Sequence, residues 1–348
     1  MDIDWKKTNR VLVVRLRSIG DTVLATPSLV ALRRFLPEAQ IDILLEDWVA
    51  PVLQGFDAVD NIITVSRTAK KTRFATALKL RRNKYDAAFN LHGGTTATFF
   101  VRATGARARI GYDNYQYSFL YTHRAPDSKQ FWHQEQVHSA EQQLALLGSV
   151  GVPVLDKPKS LLAVTDSARS SIEKKLFEKS KFQIPNSKFA LLHPAAAFDS
   201  KQWATEKFAR VAEFLFEKNF TPVAVAAPNE RVILENLKQT ARVPILAFDD
   251  LSLPEITALA SRAELFVGND SGIAHIAAAV ETPAVVIFGS SNIHHWHPWT
   301  DVPNEIVYYK SDFDKQENIK LITVENVIKA VKKVLSNEDL VDETKLKS

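Results

Sequence analysis

The chain of 348 residues predicts an α/β protein built from two doubly wound parallel sheets, and three observations carry that reading. Short apolar runs rich in Val, Ile and Leu recur along it, too short for helices and too continuous for strands with one wet face. Stretches of helical periodicity alternate with these runs, the pattern of parallel strands covered by helices on both sides. The whole series occurs twice. Between the halves, residues 151–188 hold several Pro, Lys and Ser residues around one helical stretch, 167–179, and read as a connector.

Residues 11–16 form an apolar run broken only by Arg15 and read as the first buried strand. The polar turn Arg17-Ser18-Ile19-Gly20-Asp21 follows it. Val23, Leu24, Pro27, Leu29, Val30, Leu32 and Phe35 then mark one largely buried helix that stops near Pro37. Further strands are expected at 41–45, 62–65 and 87–91, and in the second half at 189–193, 223–227, 244–248, 265–267 and 284–288. Phe208, Val211, Ala212, Leu215 and Phe216 stripe one helix face. A last helix is expected over 324–335, and the polar residues 337–348 beyond it are expected to fray.

Composition narrows the function classes. With 46% hydrophobic residues and this length, the chain can bury two separate cores. It has no cysteine, which excludes disulfides, thiol chemistry and thiolate metal sites. The opening Met-Asp-Ile-Asp-Trp-Lys-Lys has no apolar core behind it, so no secretory signal is expected and the expected location is cytoplasmic. The most apolar long segment, 273–288, is interrupted by His275, Glu281 and Pro283, short of the roughly 20 residues a membrane span needs.

Charge divides unevenly. Residues 1–165 carry 22 Lys and Arg against 15 Asp and Glu, a balance of +7, and the remainder carries 22 against 25, or −3. The first half therefore favours an anionic partner. Its excess concentrates over 66–84, which has eight basic residues, among them Arg67, Lys70, Lys71 and Arg73, and no acidic one. That run reads either as a solvated helix face or as a cradle for a phosphorylated or carboxylated acceptor or anionic lipid headgroups.

Residues 265–275, Leu-Phe-Val-Gly-Asn-Asp-Ser-Gly-Ile-Ala-His, run from a strand through a Gly-bracketed turn into an apolar helix. The free N–H groups and dipole of a helix start favour phosphate, and Gly272 lets a ligand approach the backbone. Asp270 would repel a bare diphosphate unless it caps the helix or holds sugar hydroxyls, so the turn suits a nucleotide-sugar better than a bare nucleotide. No Gly-x-Gly and no P-loop occurs, which argues against a standard NAD-dependent dehydrogenase or NTPase. Asp21 reads either as a helix N-cap or as a general base at the end of the first strand. Lys201 reads as a loop cation or a diphosphate ligand, and Glu230 as a residue near a helix start or a carboxylate holding both hydroxyls of a ribose. His294, His295 and His297 have no helical ligand spacing and no carboxylate to complete a set, so no metal site is expected; Asp312-Phe313-Asp314 follows no apolar strand and reads as incidental.

Ser18-Ile19-Gly20-Asp21-Thr22-Val23-Leu24-Ala25-Thr26-Pro27, Lys201-Gln202-Trp203, Pro228-Asn229-Glu230 and Gly268-Asn269-Asp270-Ser271-Gly272 with His275 occur in this order. Together they resemble the lipopolysaccharide heptosyltransferases, glycosyltransferase family 9, over about residues 10–300. His138 to Gly148 also resembles the family's helix closing the N-terminal domain. The resemblance implies a GT-B fold of two Rossmann-like domains facing a central cleft: 1–165 for the acceptor, 166–322 for the donor, then a helix and polar tail over 323–348. It implies inverting transfer of heptose from ADP-heptose to a lipopolysaccharide inner-core acceptor, with no cofactor and no metal. Asp21 matches the base, Lys201 a diphosphate ligand, Glu230 a ribose ligand and Asp270 the residue holding heptose hydroxyls, with Ser271, Gly272 and His275 near the phosphates. Arg67, Lys70, Lys71, Arg73, His92 and Gly93 fall on the acceptor side, facing an anionic, lipid-linked saccharide. Peripheral contact with the inner membrane is implied, and nucleic acid is not. Pro194-Ala195-Ala196-Ala197 stands where relatives often have Pro-Gly-Ala, and Gly289-Ser290-Ser291 replaces Gly-Pro-Thr, which leaves the donor sugar open. The alternatives are another nucleotide-hexose as donor, in capsule or O-antigen synthesis, or a non-catalytic nucleotide-sugar-binding module.

Overall fold

The structure is a computed structural model that describes residues 3–180, 188–309 and 318–345; the side chains of Lys70, Lys71 and Ser180 and those beyond Ser336 lie outside the described residues. The chain divides into two compact units, Met1–Ala163 and Val164–Ser348.

The first unit holds six parallel strands, β1 (Arg10–Val14), β2 (Gln40–Glu46), β3 (Asn61–Val65), β4 (Ala87–Asn90), β5 (Ala108–Tyr112) and β6 (His123–Ala125), in the order β3-β2-β1-β4-β5-β6. β1 is central because both its faces are apolar: Val11 to Val14 are all buried, with Val13 level with Ile43 on β2 and Phe89 on β4. The helices are α1 (Ile19–Val23), α2 (Thr26–Phe35), α3 (Lys70–Arg82), α4 (Gly94–Thr104), α5 (Ser128–Trp132) and α6 (Ser139–Gly148). α6 falls on the stretch that resembles the family's closing helix, and its start is capped: His138 is its N-cap and accepts from Ala140 N at 3.1 Å, while Glu141 accepts from His138 N at 3.0 Å.

The second unit repeats the plan with α7 (Asp166–Ser180), β7 (Phe189–His193), α8 (Thr205–Glu217), β8 (Thr221–Val225), α9 (Arg231–Thr240), β9 (Leu246–Phe248), α10 (Leu253–Ala260), β10 (Leu265–Asn269), α11 (Gly272–Ala279), β11 (Ala284–Ile287), α12 (Ile293–Trp296), β12 (Asn304–Val307) and α13 (Val324–Lys345). Its order is β12-β11-β10-β7-β8-β9. Counted from its own first strand this is the same 3-2-1-4-5-6 arrangement, the order of a dinucleotide-binding sheet. In each unit the chain order reverses between the first and fourth strands, and ligands of such sheets bind there, beyond the carboxyl ends. Here those switch points lie between β1 and β4 and between β7 and β10.

Three expectations are corrected. The helix read as continuous over 23–35 is two helices, because the chain turns at Leu24 and Ala25 and Pro27 takes the first turn of α2, where a missing N–H costs nothing. The tail expected to fray is helical to Lys345. Val327, Val331 and Val334, at i, i+4 and i+7, are fully buried and dock α13 on the second unit, each contributing roughly 1.5 kcal/mol or more. The strands β5, β6 and β12 were not anticipated. β5 reads Ala-Arg-Ile-Gly-Tyr and β6 is three residues long, so neither shows an apolar run.

Candidate active site

In the first unit, the loop after β1 carries Arg15, Ser18 and Asp21. Asp21 is not the N-cap of α1; Ser18 is, and Asp21 stands at the third helical position. Its Oδ2 accepts from Ser18 N at 3.1 Å and Ser18 Oγ at 3.0 Å. Its Oδ1 is ion-paired with Arg15 Nη2. Arg15 is buried, and its guanidinium also donates to Leu91 O at 2.6 Å and Asp21 O at 3.3 Å. One buried cation thus ties the ends of β1 and β4 to α1.

The other side of this switch point is set by Asn90, the last residue of β4 and fully buried. Its Oδ1 accepts from His92 N at 3.0 Å and Gly93 N at 2.9 Å, and its Nδ2 donates to Tyr121 OH at 2.6 Å. Gly93 has φ of 72° and a Cβ there would lie 3.3 Å from the Tyr115 ring, so the turn needs glycine. Burial, with the Arg15 guanidinium adding to it, holds His92 down at about 4 against the pull of Asp21; the ring is neutral at pH 7. Arg67 and Arg73 lie in the turn after β3 and the first turn of α3, where Arg73 Nη2 donates to Arg67 O at 3.2 Å. In a parallel sheet that turn shares the carboxyl edge with Asp21, two strand spacings or roughly 10 Å away. Lys70 and Lys71 open α3; their side chains lie outside the described residues.

The second unit shows a matching construction. Asn269, the last residue of β10, is fully buried; it accepts from Trp203 N at 3.0 Å and donates to Pro194 O at 2.9 Å, fixing the loop after β7. That loop carries Lys201, whose Nζ lies 2.9 Å from Asp270 Oδ2. Asp270 is buried and the same oxygen also accepts from Ser291 Oγ. Ser271 is the N-cap of α11, accepting from Ala274 N at 3.5 Å and bonded to His193 Nδ1 at 3.1 Å. Burial pushes His193 down to about 4, so no second cation competes with Lys201. Gly272 is the first residue of α11, and His275 is buried one turn in. The loop after β11 packs on the Lys201 loop so closely that a Cβ at Gly289 would lie 2.0 Å from Ser200 O. Ser290, where the resemblance expects Pro, supplies an N–H to Ser200 O at 3.3 Å and a hydroxyl to Ser200 Oγ at 2.8 Å. Glu230 stands beyond β8, its Oε2 accepting from Ala227 N at 2.9 Å and its side chain partly exposed.

Motif reading located the turns at both switch points but missed the residues that hold them: Arg15, Asn90, Asn269 as a loop tie, and Ser291. Arg15 showed as the one charge in the first apolar run; the two asparagines carried no pattern of their own. Among the described residues no group of three or more His, Asp or Glu side chains is arranged to hold a metal ion. His294 and His295 lie on α12 with His297 just after it, and the His297 ring meets Trp299 edge-on. Asp312-Phe313-Asp314 lies outside the described residues.

Two Rossmann-like units, each gathering its polar residues at a switch point, make this chain a GT-B glycosyltransferase. It belongs to glycosyltransferase family 9 (heptosyltransferase), whose family model matches residues 73–322. Lipopolysaccharide heptosyltransferase 3 of Escherichia coli K12 is 28% identical over 351 residues, covering 93% of this chain and 97% of that protein. Lipopolysaccharide core heptosyltransferase OpsX of Haemophilus influenzae is 22% identical, covering 87% and 86%. Among solved structures, a family 9 glycosyl transferase from Veillonella parvula superposes with a TM-score of 0.85 at 19% identity, covering 97% of this chain and 99% of that one. E. coli heptosyltransferase WaaC with ADP-2-deoxy-2-fluoro heptose does so with 0.73 at 18%, covering 93% and 99%.

Proposed function

We propose that the chain transfers heptose from ADP-heptose to an anionic lipopolysaccharide inner-core acceptor at the cytoplasmic face of the inner membrane, with inversion and without a metal. The observation that carries this reading is the gathering of Lys201, Asp270 and Ser271 at one switch point and of Asp21, His92 and Gly93 at the other. A relative solved with an ADP-heptose analogue supports the donor assignment.

Each half has a physical task. The N-terminus of α11 and Lys201 take the diphosphate, Asp270 accepts hydrogen bonds from sugar hydroxyls, and Glu230 holds the ribose. Arg67, Lys70, Lys71 and Arg73 meet the acceptor's phosphates and carboxylates, with the turn at His92 and Gly93 beside Asp21. Arg15 and Ser18 hold the Asp21 carboxylate in place for the acceptor hydroxyl. The acceptor hydroxyl gives its proton to Asp21, its oxygen bonds to the anomeric carbon, and the bond to the diphosphate breaks to release ADP. Lys201 and the helix start meet the charge that grows on the leaving group, the place a metal would otherwise fill.

Incubation with ADP-heptose and a panel of truncated core acceptors, read by mass spectrometry with and without EDTA, tests this. A product heavier by one heptose, unaffected by EDTA, is expected. Turnover with UDP- or GDP-hexoses alone would sink the donor assignment, and loss of activity in EDTA would sink the metal-free one.

A further inference from the structure

Trp48 stands in the turn after β2. Glu46 N donates to Leu16 O at 2.8 Å, Asp47 N to Val65 O at 3.1 Å and Val49 N to Glu46 O at 3.0 Å, so the turn is tied to the chain beyond β1 and to the end of β3. The 3-10 turn that follows, Ala50–Leu53, packs against α1, the helix of Asp21. Every Ile, Leu and Val from 41 to 53 is buried, whereas Trp48 is 42% exposed. Its Nε1 donates to Oε2 of the buried Glu46 at 2.7 Å. The one polar atom of the indole is thus satisfied from within, and the part that meets solvent is a flat apolar ring. β2 lies between β3 and β1, so the ring sits between the turn of the exposed Arg67 and the turn of the exposed Arg17, Ser18 and Asp21, a strand spacing of roughly 5 Å from each. Asp47, exposed beside it, accepts from Trp48 N at 2.9 Å.

We propose that Trp48 is the platform for a sugar ring of the acceptor, its indole face stacking on the C–H groups of that ring while Arg17 and Arg67 take phosphates or carboxylates on either side. This rests on the acceptor assignment of the first unit and adds the residue that selects a saccharide there. Cations alone attract any anion. A π face is negative at its centre and suits the weakly positive C–H groups of a pyranose, which a bare phosphate lacks. Asp47 accepts from the hydroxyls at the rim of the ring, and the side toward β1, where Asp21 stands, is left for the hydroxyl that reacts.

Delipidated core oligosaccharide is titrated into the full chain by calorimetry, with no donor present. Trp48→Ala should weaken its binding roughly tenfold, and Trp48→Phe, which keeps a flat ring, by about threefold at most, with ADP affinity unchanged in both. Both variants lose the hydrogen bond to Glu46, so the difference between them reads the ring. The factor for Trp48→Ala should be the same at low and high salt, because stacking is not screened, whereas the factor for Arg67→Gln should shrink as salt rises. In turnover with ADP-heptose, Trp48→Ala should raise the acceptor KM by a like factor and leave the donor KM and kcat alone. Wild-type binding that Trp48→Ala leaves unchanged overturns the platform, as does a loss in Trp48→Phe equal to that in Trp48→Ala. A fall in ADP affinity, or in kcat at an unchanged acceptor KM, overturns it too. Absence of oligosaccharide binding by the wild type would overturn the acceptor assignment and the platform with it, so the two failures are told apart.

Discussion

Arg15 and Ser18 grip the Asp21 carboxylate on its two oxygens, so Asp21→Asn keeps the shape of the group and removes its charge. Loss of a general base here should lower kcat by roughly a hundred- to ten-thousandfold while ADP affinity, measured by calorimetry, stays the same. Full activity in this variant would take Asp21 out of the chemistry. His193 supplies a stability test. Its ordinary value is 6.5 and burial holds it at about 4, so below pH 6.5 the unfolded chain binds a proton that the folded chain refuses. Stability therefore falls as pH drops from 6.5 to about 4, by roughly 3 kcal/mol at most from this group. His92, lowered to about 4, acts in the same window. His193→Asn should flatten, without abolishing, the decline in melting temperature over that range; an unchanged decline would contradict the assignment.

At the scale of elements, the loop after β11 and the loop carrying Lys201 behave as one body, since Gly289 leaves no room for a side chain against Ser200. Gly289→Ala must push that backbone contact apart, costing about 1–3 kcal/mol, and should raise the donor KM more than the acceptor KM. Equal effects on both would argue against the coupling. The same scale shows what the chain made legible. Central strands announced themselves because both faces are buried, as in Val11 to Val14 and residues 189–192, where only apolar residues occur. The edge strands β6 and β12 lack that signature because one side of each is unpaired and their residues are partly exposed. Site turns were legible through Gly, Asp and Ser at helix starts. Asn90 and Asn269 were not, because an asparagine at a strand end gains its meaning only when a distant loop reaches it.

For the molecule as a whole, charge is the property that separates the units. The first 165 residues carry +7 and the remainder −3. An anionic acceptor attracted mainly by long-range charge should show a KM that rises steeply with ionic strength. Replacing Arg67, Lys70, Lys71 and Arg73 by Gln should raise the acceptor KM severalfold, leave the donor KM alone and flatten the salt dependence. An acceptor KM that ignores these changes would return the basic run to a solvated helix face.

The pairing of Lys201 with Asp270 has a bearing on turnover. On the proposed donor assignment, ADP recruits Lys201 only by drawing it from a buried carboxylate and offers Asp270 nothing in exchange, whereas the intact donor brings hydroxyls that satisfy it. The same assignment predicts that once the sugar has left, the pair re-forms at the expense of the spent nucleotide, which works against product inhibition. Asp270→Asn should therefore bind ADP more tightly than the wild type while binding ADP-heptose more weakly, an inversion that competitive inhibition kinetics would reveal.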